Sequence, residues 1–551
     1  MAPPTPTGTT TFHVPSLGTI KGLIFEDGTR QFCAIPYANL TKRWTRSVLN
    51  TLLKDGFHDG TQHGPICPQP PEYAVEFHDM VPIRRCSHFK PDVESEADAL
   101  NLNVVMPEGV GPTARLPVMV WIHGGSFIFG AATHPGYDMV NLVSFSNARG
   151  TPIVGVSINY RVGLFGFLAS AAIRDDLAKD GFKGVGNFGL TDQQTALDWV
   201  QRYIGAFGGD PGNVTIFGES AGGMSVCHHT WAANPATFHR GISMSGSLHT
   251  WPVWSLEQHE RRWNVLLKRF GIDPLASDAL DRLRDVPEAE IAVATCPIEG
   301  TIDATGNMCD DGWFYASSPS PGKYTSPPAW LNSFMIGNVT HEGMIFSHNL
   351  SVQTLELARQ RLSIFLKEPE IELVLRAYGI NPSASTDDWK RNLEQMVADG
   401  LFGFLDRKHA QASEIPIYAY HFDQKSTLDG LYTGLAHHAI DIGYVFLNMK
   451  EQMTDGQRRI ASKVAGDFLD FAYGREPWEQ YNKRSRWMRY GPDDTCAMIS
   501  EEEAEPVRKY SRMNAIVNAG IFENWVAAMD DLANVRWMLG STSKTLLSYT
   551  T

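Results

Sequence analysis

The chain alternates two kinds of segment: short apolar, β-branched runs that end in glycine or polar turns, and stretches of helical periodicity between them. Leu116-Pro117-Val118-Met119-Val120-Trp121-Ile122 runs into His123-Gly124-Gly125. Residues 152–158 run into Asn159-Tyr160-Arg161, and residues 214–217 into Gly218-Glu219-Ser220. Residues 241–244, 334–336 and 415–420 are further runs of this kind. Unbroken rather than alternating apolar runs suit strands covered on both faces, so the pattern predicts an α/β fold with a large, mostly parallel sheet flanked by helices. One amphipathic helix stands out. Thr191 can cap its start, and Ala196, Leu197, Val200, Tyr203, Ile204 and Phe207 recur on one face. Gly208-Gly209-Asp210-Pro211-Gly212 then turns the chain into the next strand. Strand, helix, strand in that order implies a right-handed crossover. No internal repeat or flexible linker interrupts the sequence, so it reads as one domain over 1–551, with helices and loops inserted near 250–330 and 345–410.

Composition narrows the function. With 551 residues, 43% hydrophobic, the chain can bury a large core. Its 47 basic and 61 acidic side chains give a net charge of −14, the wrong sign for a nucleic-acid partner. No run reaches the roughly 18 apolar residues of a membrane span. No basic-plus-apolar leader opens it and no anchor tail closes it, so an intracellular location is expected. The seven cysteines form no CxxC pair, so neither a zinc site nor a full disulfide framework is expected, although Cys67/Cys86 and Cys296/Cys309 are near enough in sequence to pair.

The chemistry centres on Gly218-Glu219-Ser220-Ala221-Gly222, a GxSxG between an apolar strand and a helix start. A tight strand-to-helix turn lifts the serine hydroxyl above the sheet and aims the helix N-terminus at it, with small residues flanking it to avoid collision. An ordinary glycine-rich turn is the plainer alternative. Upstream, His123-Gly124-Gly125 follows another strand, and consecutive glycines let backbone amides approach a developing oxyanion. Gly124 and Gly125, with Ala221, are the candidate donors.

Several longer stretches in the same order make the resemblance specific. They include Phe32-Cys33-Ala34-Ile35-Pro36-Tyr37-Ala38, Asp98-Ala99-Leu100-Asn101-Leu102-Asn103-Val104, Gly186-Asn187-Phe188-Gly189-Leu190-Thr191-Asp192-Gln193 and Phe207-Gly208-Gly209-Asp210-Pro211. On these the chain resembles the type B carboxylesterase/lipase family, cholinesterase-like α/β-hydrolases that include fungal carboxylesterases and lipases. The resemblance implies an α/β-hydrolase fold and a serine esterase that needs no metal or organic cofactor. In Gly337-Asn338-Val339-Thr340-His341-Glu342-Gly343 it implies that Glu342 is the triad acid; without it Asp310, Asp311 and Glu299 stay open. In His438-Ala439-Ile440-Asp441-Ile442-Gly443-Tyr444-Val445-Phe446 it implies that His438 is the base, with His437 second, since Ala439 stands where the family has Gly or Ser. Glu219 and Ser245 match residues that support the imidazolium and the acid. Ala99 replaces a cysteine found in secreted relatives, and Phe89 stands near the position of a choline-binding tryptophan, which argues against a choline ester.

The reaction implied is hydrolysis of a small-molecule ester through an acyl-enzyme. Acyl transfer to another alcohol or lactone formation would use the same residues. A silent binding protein on this scaffold would typically lack a triad member, and a true lipase would need an apolar flap that residues 64–98 do not obviously supply.

Overall fold

The computed structural model describes residues 4–70, 93–295, 306–320, 326–351, 353–381, 383 and 385–533. Its frame is a mixed sheet of β1 (Gly8–Val14), β2 (Gly18–Ile24), β3 (Arg30–Pro36), β4 (Asn101–Met106), β5 (Leu116–Ile122), β6 (Val154–Ile158), β7 (Gly209–Glu219), β8 (Arg240–Met244), β9 (Ser333–Val339), β10 (Ile417–Phe422), β11 (Arg486–Tyr490) and β12 (Cys496–Ser500). The spatial order is β1-β2-β3-β4-β6-β5-β7-β8-β9-β10-β11-β12, with a short strand, Phe57–Asp59, beside β2. Neighbours from β6 to β11 are all parallel. Antiparallel pairs form the two ends.

The helices that matter for the site are α1 (Phe188–Tyr203), α2 (Ala221–Trp231), α3 (Thr386–Ala398), α4 (Phe404–Ala412), α5 (Ile440–Phe446), α6 (Asp455–Ala472) and α7 (Glu501–Arg508). A π-helical turn, Asp399–Gly403, joins α3 to α4.

The central strands read as unbroken apolar runs because they feed two cores. Val118, Val120 and Ile122 of β5 join Leu197 and Val200 of α1 and Met224 and Val226 of α2 on one face. Met119 and Trp121 join Phe468 and Leu469 of α6 on the other. Trp121 meets Phe217 and Phe446 edge to face, with ring centroids 5.0 and 4.9 Å apart. Each fully buried ring of this kind contributes about 1.5–3 kcal/mol.

Two local expectations are corrected. Thr191 does not cap α1. The helix begins at Phe188 after Asn187, which holds a left-handed φ of 53°, and the Thr191 hydroxyl donates back to the Phe188 carbonyl at 3.0 Å. Asn187 is fixed from outside: its side chain makes a reciprocal pair of 2.8 Å hydrogen bonds with the Cys309 backbone. Nor is 208–212 wholly a turn. β7 starts at Gly209, which pairs with Leu116, and a register shift before Val214 hides that pairing from a purely apolar pattern. Strands β1 to β4 escaped the pattern: the outer strand β1 is largely exposed, and Asn101 and Asn103 interrupt the apolar run of the fully buried β4.

Candidate active site

Ser220 stands between the last residue of β7 and the first of α2, at φ 54° and ψ −123°. This is a sparsely populated conformation held by its surroundings: the Ser220 amide donates to the Met244 carbonyl of the neighbouring strand at 2.8 Å. α2 crosses the end of β5 so closely that a Cβ at Gly222 would lie 2.0 Å from the Ile122 carbonyl oxygen, so only glycine serves there. The turn leaves Ser220 7% exposed. Ala221 opens α2, where the first amides of a helix lack intrahelical acceptors and carry the positive end of its dipole.

The His123-Gly124-Gly125 segment leaves β5 beside this turn. A Cβ placed on Gly124 would sit 3.1 Å from the Ser220 Cβ and 2.7 Å from the Glu219 carbonyl oxygen. Gly125 adopts φ 109°, a conformation that side-chain-bearing residues avoid. His123 braces the loop. Its ring stacks on Tyr160 at 4.2 Å, and the Tyr160 hydroxyl donates to the His123 carbonyl at 2.8 Å. Burial lowers the His123 pKa to about 4, so this ring is neutral.

Glu342 and His438 come from different connections, aligned by a short parallel bridge between His341 and His437 and a 2.9 Å bond from the His341 amide to the Ala436 carbonyl. His438 Nδ1 lies 2.5 Å from Glu342 Oε2, and Glu342 Oε1 accepts from the Val339 amide at 2.8 Å. His438 Nε2 lies 3.0 Å from Glu219 Oε1. Among the described residues Ser220 Oγ makes no hydrogen bond, to His438 or elsewhere, so the structure gathers the three groups at one rim without closing the serine–imidazole contact. Phe402, on the π-helical turn, packs its ring 5.3 Å from that of His438. His437 points elsewhere: Nδ1 pairs with the His438 carbonyl at 2.8 Å, and the ring packs on Tyr432 at 5.0 Å. Ala439 holds φ 68°, which is the physical reason a glycine would suit that position.

Comparison with known proteins gives the family and the fold. The Carboxylesterase family matches residues 9–516. The chain belongs to the carboxylesterase family. It is 32% identical over 522 residues to Lipase 3 of Yarrowia lipolytica, covering 91% of this chain and 96% of that one. It is 30% identical over 501 residues to the para-nitrobenzyl esterase of Bacillus subtilis, covering 85% and 92%. A solved PNB esterase superposes with a TM-score of 0.73 at 27% identity, over 92% of this chain and 99% of that one. The fold is thus the α/β-hydrolase fold, and the protein is an enzyme of the carboxylesterase type.

Electrostatics in this carboxylesterase concentrate on His438. Burial opposes its charged form, but the carboxylates of Glu219 and Glu342 outweigh burial and carry the pKa up to about 9. Burial drives the Glu219 carboxyl up to about 8, and Asp441, also buried, rises to about 7. An imidazolium cannot accept a proton, so the base form gains population only as pH climbs toward 9. We therefore expect kcat/KM for an uncharged ester to rise from pH 6 to about 9. In Glu219→Gln, which removes the largest upward influence on the ring, that rising limb should move to lower pH. A pH–rate profile already flat at pH 6 would contradict this.

The supporting residues fare unevenly. Glu219 lies where the sequence put it, against the imidazole. Ser245 is buried, with φ 48° and its amide donating to the Gly337 carbonyl at 2.7 Å, but its hydroxyl makes no hydrogen bond and does not reach Glu342. Asp441, accepting from the Tyr420 hydroxyl at 2.9 Å, is a carboxylate the sequence reading passed over. Its place three residues after the histidine, at the start of α5, was the available signal. Asp311 is committed to the amides of Trp313 and Phe314. Glu299, Phe89, Cys86 and Cys296 lie outside the described residues, so the two cysteine pairings do as well. Cys67 is buried, its Sγ 3.5 Å from the Val162 amide. Among the described residues no group of His, Cys, Asp or Glu is arranged to hold a metal ion, and no helix is long and apolar enough to cross a membrane.

Proposed function

We propose that the chain hydrolyses small-molecule carboxylic esters through an acyl-enzyme on Ser220, with His438 as the base and Glu342 as the acid of the triad. The observation that carries this reading is the 2.5 Å contact of His438 Nδ1 with Glu342, formed at the same rim as the strained Ser220 turn. In this scheme Glu342 fixes the tautomer that leaves Nε2 free to take the Ser220 proton as Oγ attacks the ester carbonyl. The collapsing tetrahedral species takes that proton on its leaving alcohol, and a water deprotonated by His438 then releases the acid. The Gly124, Gly125 and Ala221 amides hold the oxyanion, each donor supporting about 3–4 kcal/mol of transition-state stabilisation. In the resting structure Nε2 faces Glu219, so ester binding must draw the imidazole toward Oγ, in keeping with catalytic hydrogen bonds that close only in the Michaelis complex.

The test is a rapid-mix assay with a para-nitrophenyl ester. Release of nitrophenol in a burst equal to the enzyme concentration, followed by a slower steady rate, is expected of a serine acyl-enzyme. A linear trace, together with no covalent adduct by mass spectrometry, would remove the proposal. Adding a short alcohol separates hydrolysis from acyl transfer by product ratio. The likeness to Lipase 3 supports a second reading, a long-chain lipid ester, which a panel of acyl lengths decides.

A further inference from the structure

Glu342 borders a small void. A cavity of about 20 Å³ is lined by Glu342, Val339, Thr340, Asp399, His421 and Arg508, among others, and has room for a single water. Packing contacts are lost beside a void, so the segment bearing Glu342 depends on hydrogen bonds for its position. Those bonds converge on one distant side chain.

Arg508 ends α7, at the far end of the sequence from the sheet's centre. Its Nη1 donates to the Asn338 side-chain oxygen at 2.9 Å and to the Val339 carbonyl at 2.7 Å. Its Nη2 donates to Asp423 Oδ1, which also accepts the Thr340 hydroxyl at 2.7 Å. Asn338 in turn donates to the buried Asp406 at 2.9 Å. One guanidinium thus ties down residues 338, 339 and, through Asp423, 340. The middle one supplies the amide that binds Glu342 Oε1. Arg508 and Asp423 are 11% and 8% exposed, so the clamp is shielded from water. A planar, multi-donor fork satisfies such a divergent acceptor set, whereas a single ammonium does not.

We propose that Arg508 is a positioning residue for ester hydrolysis: it fixes the 338–340 segment so that the Val339 amide holds the Glu342 carboxylate in line with His438 Nδ1. The inference rests on Glu342 acting as the acid of the triad. It touches no substrate, so its effect belongs in kcat and vanishes when Glu342 is gone.

The experiment is a double-mutant cycle on the full chain, read by steady-state kinetics on a short aryl ester and by thermal melting. Arg508→Gln should lower kcat about 100-fold, the scale of a small displacement of a catalytic group, with KM changed less than about twofold. Arg508→Lys should fall between the two. In the Glu342→Gln background, adding Arg508→Gln should change kcat by less than about twofold, because nothing remains to be positioned. Unchanged kcat in Arg508→Gln, or a full multiplicative loss in the double variant, overturns the proposal. Full activity in Glu342→Gln alone overturns it differently, by removing Glu342 from the triad. Should Arg508→Gln fail to fold, Arg508→Lys carries the same cycle, with equal losses in both backgrounds as the refuting result.

Discussion

Ser220→Ala should reduce kcat on a short activated aryl ester by about 10⁶-fold while the protein melts within a few degrees of the parent. The magnitude follows from losing the nucleophile of a cooperating set, where one removal costs nearly as much as removing all. The mild effect on stability follows from the structure. Among the described residues the Ser220 hydroxyl has no hydrogen bond to lose, and the strained turn is held by the Ser220 amide on Met244 and by the close crossing at Gly222. Alanine retains both features. Turnover in the alanine variant at even one hundredth of the parent rate, in a preparation free of contaminating esterase, would mean that another group attacks the ester.

The second large effect separates two adjacent histidines. His438→Ala should lose several orders of magnitude in kcat, comparable to the serine variant, whereas His437→Ala should keep kcat within about tenfold. The reason is geometric: His438 faces Glu342 and Glu219, while His437 bonds to a neighbouring carbonyl and packs on Tyr432. Stability should diverge as well. Removing His438 strands two buried carboxylates without their cationic partner, a loss of about 3–5 kcal/mol for a broken buried pair, so His438→Gln serves as the better-folded companion. A folded state that raises a histidine pKa gains stability from it below the unfolded value near 6.5 and loses that contribution as pH rises through about 9. Melting measured at pH 6 and pH 10 should therefore converge for parent and variant at the alkaline end. Equal kcat losses in the two alanine variants would defeat the assignment.

Legibility in the sequence tracked how local each physical cause is. Strand β5 matched its apolar run from Leu116 to Ile122 because burial on both faces leaves no polar position to interrupt it. The nucleophile turn was legible because its glycines stand at fixed short spacing around the serine, even though the closest atom a Cβ at Gly222 would meet is the Ile122 carbonyl oxygen of a distant strand. β7 was longer than its apolar run, since Gly209 pairs across a shifted register with a strand far upstream in the sequence. The start of α1 was misplaced because the constraint on Asn187 comes from Cys309, which no local pattern encodes. Ser245 matched the family motif, yet its buried hydroxyl makes no hydrogen bond among the described residues, a side-chain placement that no local pattern encodes.

The amino-acid order alone determined the α/β class and marked the serine turn and the paired glycines, because each depends on residue type at fixed short spacing, while Glu342 and His438 were singled out only through the resemblance to a family. Only the tertiary structure decided which of His437 and His438 meets Glu342, that Nε2 rests against Glu219, and that a guanidinium 166 positions after Glu342 in the sequence secures its segment. Those are contacts between connections from separate strands, and their energies exist only after the sheet has brought the strand ends together.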